Sequence, residues 1–381
     1  MGYVRRSLIS CFLFVVTVLF LVIGSARANG VGTYYVANEV GRSISVVDTI
    51  SNTVVELVPL DLPPFDIAFS PDAHFVYVSH LNSSSISVVD TSVEEVTATI
   101  EVAGQAGEIA LAAGGSRLLV TDPQQGLLRV IDPSSKSQLF AIAVNGEPLS
   151  LEVSLDGERA FTADRSSGAI ATIDLKNRWI ARTIQAGTGR HFLTINPSGT
   201  EIFVDSSERG DIIVLDAASG QVKRSFTIGA ANGPIAFSPL GDVFYLPRSD
   251  KKEITIANPS SGSANEGISL PDYPLSISVN RAGNRAYVTL PEADSVAVVD
   301  LPNRKVLSQV QVEKRPTRAE LSPLQQRAEP VVIPGALPNT GGASKEQTPI
   351  GIVAGFALIV VGLFFTYHRY SQNGHDRKTQ I

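Results

Sequence analysis

The chain has 381 residues, a formal net charge of −6 and only 18% charged residues. An acidic protein of this kind is not expected to bind nucleic acid, because that function requires a basic surface. The single cysteine, Cys11, lies in an apolar segment near the N-terminus. The rest of the chain therefore has no thiol for a disulfide, a covalently attached haem, a nucleophile or a metal ligand.

The N-terminal segment has the three parts of a secretory signal peptide. Arg5 and Arg6 precede an almost unbroken apolar run over residues 8–23, and a small-x-small sequence ends at Ala28. This pattern predicts a signal peptide over residues 1–28, with cleavage between Ala28 and Asn29. An uncleaved membrane anchor is the alternative.

A pattern of two short strands recurs every 42 residues. In its first copy, Tyr34–Asn38 is followed by Ser43–Asp48. The residue that ends the second strand is acidic six times and an asparagine once: Asp48, Asp90, Asp132, Asp174, Asp216, Asn258 and Asp300. A strand-rich repeat of this length is typical of a propeller or a solenoid. Because an acid that occurs once per repeat usually caps a turn, we interpret this position as a turn cap and not as a metal array.

Each repeat divides into four strands, so seven repeats predict an all-β, seven-bladed β-propeller over residues 29–323. In the first repeat the strands are Tyr34–Asn38, Ser43–Asp48, Thr53–Pro59 and Phe65–Ser70. The chain begins with the first strand of a repeat and ends with a seventh copy of the fourth strand, Thr317–Ser322. We therefore predict a mixed closing blade, with its innermost strand from the C-terminal end and the other three from the N-terminal end.

The repeat is similar to that of a known family. Tyr77-Val78-Ser79-His80, Tyr287-Val288-Thr289 and Ile86-Ser87-Val88-Val89-Asp90 resemble the YVTN β-propeller repeats of bacterial and archaeal surface proteins. The resemblance covers about Thr33 to Pro323 and implies the propeller fold. It does not imply one function, because similar propellers serve adhesion, lactone hydrolysis and cofactor-bearing enzymes.

The fourth strand of each repeat is predicted to be innermost, with alternate side chains facing a central channel. The first predicted ring contains Asp66, Glu108, Ser150, Phe192, Pro234, Ser276 and Arg318. The second contains Ala68, Ala110, Glu152, Thr194, Ala236, Ser278 and Glu320. One hypothesis is that Asp66, Glu108, Glu152 and Glu320 form an oxygen-lined Ca²⁺ site. The other is that Arg318 pairs with Asp66 and water fills the channel; no other cofactor is expected.

Ligand contacts are expected on the variable loops at one mouth of the channel. The residues singled out there are His80, Asp164, Arg165, Arg190, His191 and Arg248. An enzymatic interpretation would gather four of them around a lactone or a sugar, with a histidine as general base: His80, Asp164, Arg190 and His191. The sequence has no Gly-x-Ser-x-Gly motif, zinc-binding histidine pair or phosphate-binding loop that would support catalysis.

The C-terminal segment has three parts in order. Leu337, Pro338, Asn339, Thr340 and Gly341 are followed by a polar spacer over residues 342–349, an apolar run over 350–367 and a tail over 368–381. Eighteen helical residues are about 27 Å long, enough to cross a bilayer core, so a transmembrane helix is predicted in the precursor.

This C-terminal arrangement resembles the cell-wall sorting signal of sortase substrates. The resemblance implies cleavage between Thr340 and Gly341 through a thioester to Thr340, followed by transfer to an amine of peptidoglycan. The tail after the helix is longer and less basic than in that family, and a helix that remains as a membrane anchor is the alternative.

The sequence therefore predicts a secreted protein in the cell wall of a bacterium that has a sortase. Its expected partners are sortase, peptidoglycan and an unidentified surface protein or glycan, with membrane contact only in the precursor. The linker over residues 324–336 would hold the propeller within about 40 Å of its attachment point. We interpret the domain as a binding module; a surface hydrolase of a lactone or sugar derivative and a structural wall-coat protein are the alternatives.

Overall fold

The computed structural model describes residues 32–187, 191–206, 210–229, 233–248 and 250–323. The strands are β1 (Thr33–Asn38), β2 (Ser43–Asp48), β3 (Thr53–Pro59), β4 (Asp66–Phe69), β5 (Phe75–Ser79), β6 (Ser85–Asp90), β7 (Glu95–Glu101), β8 (Ile109–Ala112), β9 (Arg117–Asp122), β10 (Leu127–Asp132), β11 (Ser137–Ala143), β12 (Pro148–Val153), β13 (Arg159–Asp164), β14 (Ala169–Asp174), β15 (Trp179–Gln185), β16 (His191–Ile195), β17 (Glu201–Ser206), β18 (Asp211–Asp216), β19 (Val222–Thr227), β20 (Ala236–Phe237), β21 (Phe244–Arg248), β22 (Glu253–Ala257), β23 (Ala264–Ser269), β24 (Ile277–Val279), β25 (Arg285–Leu290), β26 (Ser295–Asp300), β27 (Lys305–Gln311) and β28 (Pro316–Leu321). Two 3₁₀ turns lie at Ala113–Gly115 and Pro291–Ala293.

These strands form seven four-stranded sheets, and adjacent strands are antiparallel throughout. Six sheets use four consecutive strands, which we call blades 2 (β4–β7), 3 (β8–β11), 4 (β12–β15), 5 (β16–β19), 6 (β20–β23) and 7 (β24–β27). Blade 1 has the order β28-β1-β2-β3. The predicted all-β, seven-bladed propeller with four-stranded blades is therefore confirmed.

Blade 1 joins the two ends of the described chain. Tyr34 pairs with Leu321 and Ala37 with Arg318, and the N–H of Ser322 donates to the carbonyl of Thr33 at 3.1 Å. The predicted mixed closing blade is therefore confirmed. Because it pairs the first and last strands, the ring of blades has no open break.

Apolar residues on both faces of the blades pack against the neighbouring blades. In one core, Tyr35 of blade 1 packs with Val76 and Val78 of blade 2. At the closing interface, the rings of Tyr34 and Tyr287 are 4.4 Å apart. The interface between blades 7 and 1 is therefore filled by large side chains, as required to hold a closed ring together.

The repeated acid caps a turn in every blade. One oxygen of Asp48 accepts the N–H groups of Ile50 at 3.0 Å and Ser51 at 2.6 Å. Asn258 makes the same pair of bonds to Ser260 and Ser261, at 2.9 and 3.1 Å. The other five side chains each accept a backbone N–H two or three residues further on: Asp90, Asp132, Asp174, Asp216 and Asp300. The turn-cap interpretation is confirmed.

Several sequence predictions lie outside the described residues. They are the signal peptide (1–28), the linker (324–336), the sorting motif (337–341), the spacer (342–349), the apolar run (350–367) and the tail (368–381). Within the ranges that the structure describes, no helix is long and apolar enough to span a membrane.

Candidate ligand pocket and channel

Each blade has one inner strand, which lies next to the channel. The inner strands are β4, β8, β12, β16, β20, β24 and β28. A cavity of about 170 Å³ is lined by residues of β8, β12, β16, β24 and β28 and by Pro234 and Ile235 just before β20, including Glu152, Thr194 and Glu320 of the predicted second ring. Asp66 of β4 lines the second cavity described below. The prediction that the fourth strand of each repeat is innermost is therefore confirmed. We call the end where inner strands begin the upper mouth, and the end where they finish the lower mouth.

A larger cavity, of about 370 Å³, opens at the upper mouth. Apolar side chains at the starts of inner strands form its walls: Phe65, Leu149, Phe192, Pro234 and Leu275. Asp66, Glu108 and Arg318 form its floor. We call this cavity the upper pocket. Its volume and its combination of apolar walls with a few polar groups are typical of sites for small ligands, which measure about 300–1,000 Å³.

One arginine lies between two carboxylates on the pocket floor. Nε of Arg318 is 3.3 Å from Oδ1 of Asp66, and its Nη1 is 3.6 Å from Oε1 of Glu108. Asp66 is only 2% exposed. A buried carboxylate requires such a charge partner, because an isolated charge is costly to remove from water.

The floor residues also bind the neighbouring blade. Oδ2 of Asp66 accepts the N–H of Ile109 at 3.1 Å, and Oε2 of Glu108 accepts that of Leu151 at 2.6 Å. Oγ of Ser150 accepts the N–H of Leu193 at 3.1 Å. Each contact reaches the inner strand of the next blade. Because an inner strand has an edge without a sheet partner, these side chains satisfy N–H groups that would otherwise be unpaired.

Burial of several acids in one channel raises their pKa values. Burial and the Asp66 carboxylate raise the pKa of Glu108 to about 7, against the opposing effect of Arg318. Burial and then Glu108 raise the pKa of Glu152 to about 8. Burial raises the pKa of Glu320 to about 7, although Arg318 opposes this rise. The channel therefore takes up protons near neutral pH.

The two hypotheses for the channel can be compared with this geometry. Arg318 pairs with Asp66, as the second hypothesis requires. In the described part of the chain, no group of three or more His, Cys, Asp or Glu side chains is arranged to hold a metal ion. Asp66 and Glu108 are already engaged by Arg318 and by backbone N–H groups, so their oxygens suit this network better than a Ca²⁺ shell. The Ca²⁺ site at Asp66, Glu108, Glu152 and Glu320 stays a prediction.

Three residues of the predicted ligand face occupy equivalent positions at the end of a blade's second strand from the channel. His80, Asp164 and Arg248 are 84 residues apart in turn and are all buried. The two ring nitrogens of His80 lie 2.9 Å from the Pro63 carbonyl and 2.9 Å from Oγ of Ser87. Burial lowers the pKa of His80, partly offset by the Pro63 carbonyl and Asp61. The imidazole is therefore neutral near pH 7, which is the form a general base requires. Both of its nitrogens are engaged by Pro63 and Ser87, and this engagement does not favour that role.

Asp164 and Arg248 hold loops in the same way. Asp164 accepts the N–H groups of Ser167 and Glu147, each at 2.6 Å. Arg248 donates from Nε and Nη2 to the two oxygens of Asp250, both at 2.8 Å. These contacts give both side chains a structural function that the sequence analysis did not predict. His80, Asp164 and Arg248 lie at the same position of the 42-residue repeat, and this shared position was a sequence signal for a structural function.

The other predicted contact residues are placed differently. Arg165 is exposed at the upper mouth. Arg190 lies outside the described residues, and His191 begins β16 without a described side chain. The grouping of His80, Asp164, Arg190 and His191 in one catalytic site therefore stays a prediction.

Asp205 is a buried acid that the sequence analysis missed. It is 1% exposed on β17, and within the described ranges neither carboxylate oxygen has a hydrogen-bond partner. Burial raises its pKa to about 7, against the opposing charge of Arg248. The corresponding residues of two other blades are alanine and proline, Ala163 and Pro247, so the acid is a departure from the repeat.

Comparison with known proteins identifies the fold class. No family model matches the chain, and no curated protein matches it. Hydrazine synthase from Kuenenia stuttgartiensis superimposes with a TM-score of 0.64 at 19% identity, over 71% of this chain and 92% of that one. The dihydro-heme d1 dehydrogenase NirN, in complex with DHE, gives 0.61 at 13% identity, over 79% and 77%.

A third similar structure is the β-propeller domain of Cps50 (Swd1) from Myceliophteria thermophila. It gives a TM-score of 0.55 at 12% identity, over 71% of this chain and 94% of that domain. At these identities the similarity establishes a β-propeller fold, and a shared fold does not establish a shared function.

Proposed function

We propose that this protein is a secreted, peptidoglycan-anchored β-propeller that binds a surface protein or glycan in its upper pocket. The observation that carries the proposal is the position of the pocket. It opens at the upper mouth, with apolar walls over a floor of Asp66, Glu108 and Arg318. This arrangement is that of a recognition site on a rigid scaffold.

The course of blade 1 separates the pocket from the two ends of the described chain. Strand β28 begins beside the pocket at Pro316 and finishes at Leu321, while β1 begins opposite it at Thr33. Both ends of the described chain therefore lie at the lower mouth and leave the upper pocket unobstructed by the described termini.

The lining suggests the chemistry of the ligand. Phe65, Leu149 and Leu275 are half-buried, so they present apolar surface that an aliphatic side chain or the face of a sugar ring would cover. Arg318 on the floor has a side chain that is 29% exposed, so its remaining N–H groups can donate hydrogen bonds to ligand hydroxyl or carbonyl oxygens. A protein side chain and a saccharide both fit this description.

Binding is tested by capture from cell-wall and envelope extracts with a chain covering residues 29–340. Leu149→Lys and Leu275→Lys place a charge in the pocket wall, and we expect either substitution to abolish capture of the ligand. The matched control is Leu307→Lys on the outer strand β27, where the leucine is 50% exposed and far from the pocket lining. Capture that survives both pocket substitutions would contradict the proposed site.

If nothing is captured at any salt or Ca²⁺ concentration, hydrolysis becomes the function to test. A panel of lactones and glycosides is then assayed with the same chain. Turnover that is lost in the pocket variants and kept in Leu307→Lys would replace the binding module by a hydrolase.

Anchoring is tested separately from binding. In a sortase-containing host, we expect the intact precursor to appear in the peptidoglycan fraction, and Thr340→Ala to move it to the membrane fraction. Equal distribution of the two proteins would contradict anchoring through the sorting motif without affecting the pocket.

A further inference from the structure

The guanidinium of Arg318 contacts its acids differently from three other arginines of the propeller. In those three, two side-chain nitrogens donate hydrogen bonds of between 2.7 and 3.0 Å to one carboxylate: Arg129, Arg224 and Arg248. The Arg318 side chain lies 3.3 Å from Asp66 and 3.6 Å from Glu108, and the second distance is too long for a hydrogen bond. Within the described ranges, Oδ1 of Asp66 has no hydrogen-bond partner, so the first contact is an ion pair without a hydrogen bond. The N–H groups of Arg318 are therefore not used by the acids beside it.

Part of this side chain is exposed on the floor of the upper pocket. Arg318 lines the cavity, and its side chain is 29% exposed. A guanidinium presents its donors as a planar fork, which fits the two oxygens of a carboxylate. The acids of the floor have contacts of their own, since Asp66 and Glu108 accept N–H groups of the next blade. Arg318 is therefore the floor residue that is best placed to bind a ligand.

A second arginine lies at the rim of the same pocket. Arg315 lines the cavity and directly precedes β28, the strand that carries Arg318. Its Nη1 is 3.5 Å from Oε2 of Glu39, and the two side chains are 54% and 41% exposed. An exposed ion pair of this kind contributes little free energy, so a ligand can compete for the arginine at small cost. The pocket thus offers one cation at its floor and another at its entrance.

The acids around Arg318 can reduce their repulsion of a bound anion by taking up a proton. Four carboxylates interact with Arg318: Asp66, Glu108, Glu320 and Glu152. Burial and then Asp66 raise the pKa of Glu108 to about 7, so a large fraction of this side chain is neutral at pH 7. An anion bound to Arg318 would raise this pKa further, because a second negative charge disfavours the ionised form. Anion binding should therefore be accompanied by proton uptake, and it should weaken from pH 6 to pH 8.

We infer that the upper pocket recognises the terminal carboxylate of a peptide whose last side chain is apolar. The inference rests on the proposed binding function and adds the class of ligand. Arg318 would bind the carboxylate at the floor, and the apolar walls would cover the last side chain. A uronic acid also carries a carboxylate. Its ring hydroxyls, however, would meet the side chains of Phe65, Leu149 and Leu275, which offer no hydrogen-bond partners.

A pair of peptide probes tests this inference. The tripeptide acetyl-alanyl-alanyl-leucine is compared with its C-terminal amide, which has nearly the same shape without the negative charge. Both are titrated into the chain covering residues 29–340, and binding is followed by NMR. At pH 6 we expect the acid to bind about tenfold or more tightly than the amide, because hydrogen bonds between charged groups are stronger than those to a neutral amide. At pH 8 the affinity for the acid should be lower, while that for the amide should change little.

Two substitutions and one control test where the carboxylate binds. Arg318→Lys keeps a positive charge beside Asp66 and Glu108 but removes the planar fork. Arg315→Gln removes the charge at the rim and changes only an exposed side chain. We expect both substitutions to reduce the affinity for the acid severalfold, with a smaller change for the amide. Arg281→Gln, in the turn between β24 and β25 at the lower mouth, replaces an exposed arginine and should change neither affinity.

Several outcomes would overturn the inference. Equal affinity for the acid and the amide would show that the carboxylate is not recognised, although the pocket would remain a binding site. The same conclusion follows if neither peptide binds while a ligand is still captured from cell extracts. Loss of both peptide binding and capture would count against the pocket itself.

Three further results would also overturn it. An affinity for the acid that is unchanged in both Arg318→Lys and Arg315→Gln would place the carboxylate elsewhere. Glucuronate that binds more tightly than glucose, with no peptide bound, would make the ligand an acidic sugar. An affinity for the acid that rises from pH 6 to pH 8 would contradict the expected repulsion by the channel acids.

Discussion

Two positions of the repeat differ in how much their residues vary between blades. One is the turn that follows β2 and its equivalents in the other blades, and the other is the channel face of the inner strands. The turn position is aspartate in six blades and asparagine in one, with the same backbone contacts. The first channel ring has six residue types at seven positions: Asp66, Glu108, Ser150, Phe192, Pro234, Ser276 and Arg318. A turn contacts mainly its own blade, so one residue type serves in all of them. In the channel seven blades meet, and a repeated acid would bring seven like charges together.

The channel is consequently divided into two sides. Blades 1 to 4 contribute the charged residues, of which Asp66, Glu108 and Arg318 form one network. Blades 5 to 7 have uncharged residues at the corresponding positions, Phe192, Pro234 and Ser276, and of these Phe192 and Pro234 line the upper pocket. The comparison teaches that the residue kept at the turn of every repeat supports its own blade, while the residues that vary around the ring build the channel.

The largest effect is expected from removing the closing strand, since it supplies Arg318 and Glu320 to the channel and pairs with β1. Deletion of residues 316–323 should abolish the single cooperative transition of the propeller or lower its Tm by more than any substitution. Circular dichroism during heating measures this. A Tm equal to that of the intact chain would show that blade 1 does not need its inner strand.

A smaller but still large loss is expected from Arg318→Leu. It leaves Asp66 and Glu108 without their charge partner. Because the Arg318 side chain is 29% exposed, the cost should lie below the roughly 3–5 kcal/mol of a fully buried ion pair. Urea denaturation at pH 7.5 measures the free energy of unfolding. Ser276→Ala, on the neutral side of the same ring, is the control and should cost less; an equal loss for the two would show that the network adds no stability.

The third prediction concerns pH. The folded-state pKa values of Glu108, Glu152 and Glu320 are raised to about 7, 8 and 7, so the folded protein binds more protons than the unfolded chain above pH 4.5. Stability should therefore fall as pH rises from 4.5 through 8. We expect the Tm at pH 9 to be several degrees below that at pH 6, and Glu152→Gln to reduce this difference. A difference that Glu152→Gln leaves unchanged would exclude Glu152 as a contributor.

The smallest effects are expected at the turns. Asp90→Ala and Asp132→Ala each remove hydrogen bonds in an exposed turn, and the resulting small decrease in Tm should be similar in the two blades. Asn258→Asp should leave the Tm nearly unchanged, because asparagine already makes the same contacts. Clearly unequal decreases in Tm would show that the turns are not equivalent.

The parts of the structure that depend on periodicity were predictable. The 42-residue repeat predicted the four-stranded blades, the mixed closing blade, the turn caps and the two channel rings, because alternation along a strand assigns each residue to one face. The inner strand Asp66–Phe69 is two residues shorter than the predicted Phe65–Ser70. Strand ends depend on hydrogen bonds to the next strand, which the local sequence does not reveal.

The roles of individual side chains were harder to predict. His80, Asp164 and Arg248 were predicted to contact a ligand because they are polar and lie near loops, and this contact stays a prediction. Each is buried and bonded to nearby residues, and His80 also lines the upper pocket. Asp205 was not predicted as a functional residue, because a single acid within a strand forms no recognisable sequence pattern. Whether a buried carboxylate has a hydrogen-bond partner depends on side chains from distant parts of the chain. A single sequence does not give the distances between them.

The orientation of β28 has a mechanical consequence. Arg318 and Glu320 line the two channel cavities in turn, so the strand runs along the channel towards the last described residue, Pro323. For a protein tethered at its C-terminal end and loaded through the upper pocket, force would act along this strand. The bonds between β28 and β1 would then be sheared together and would not be peeled apart one by one. The lifetime of the protein under flow would therefore be set by the unfolding rate of the closing blade.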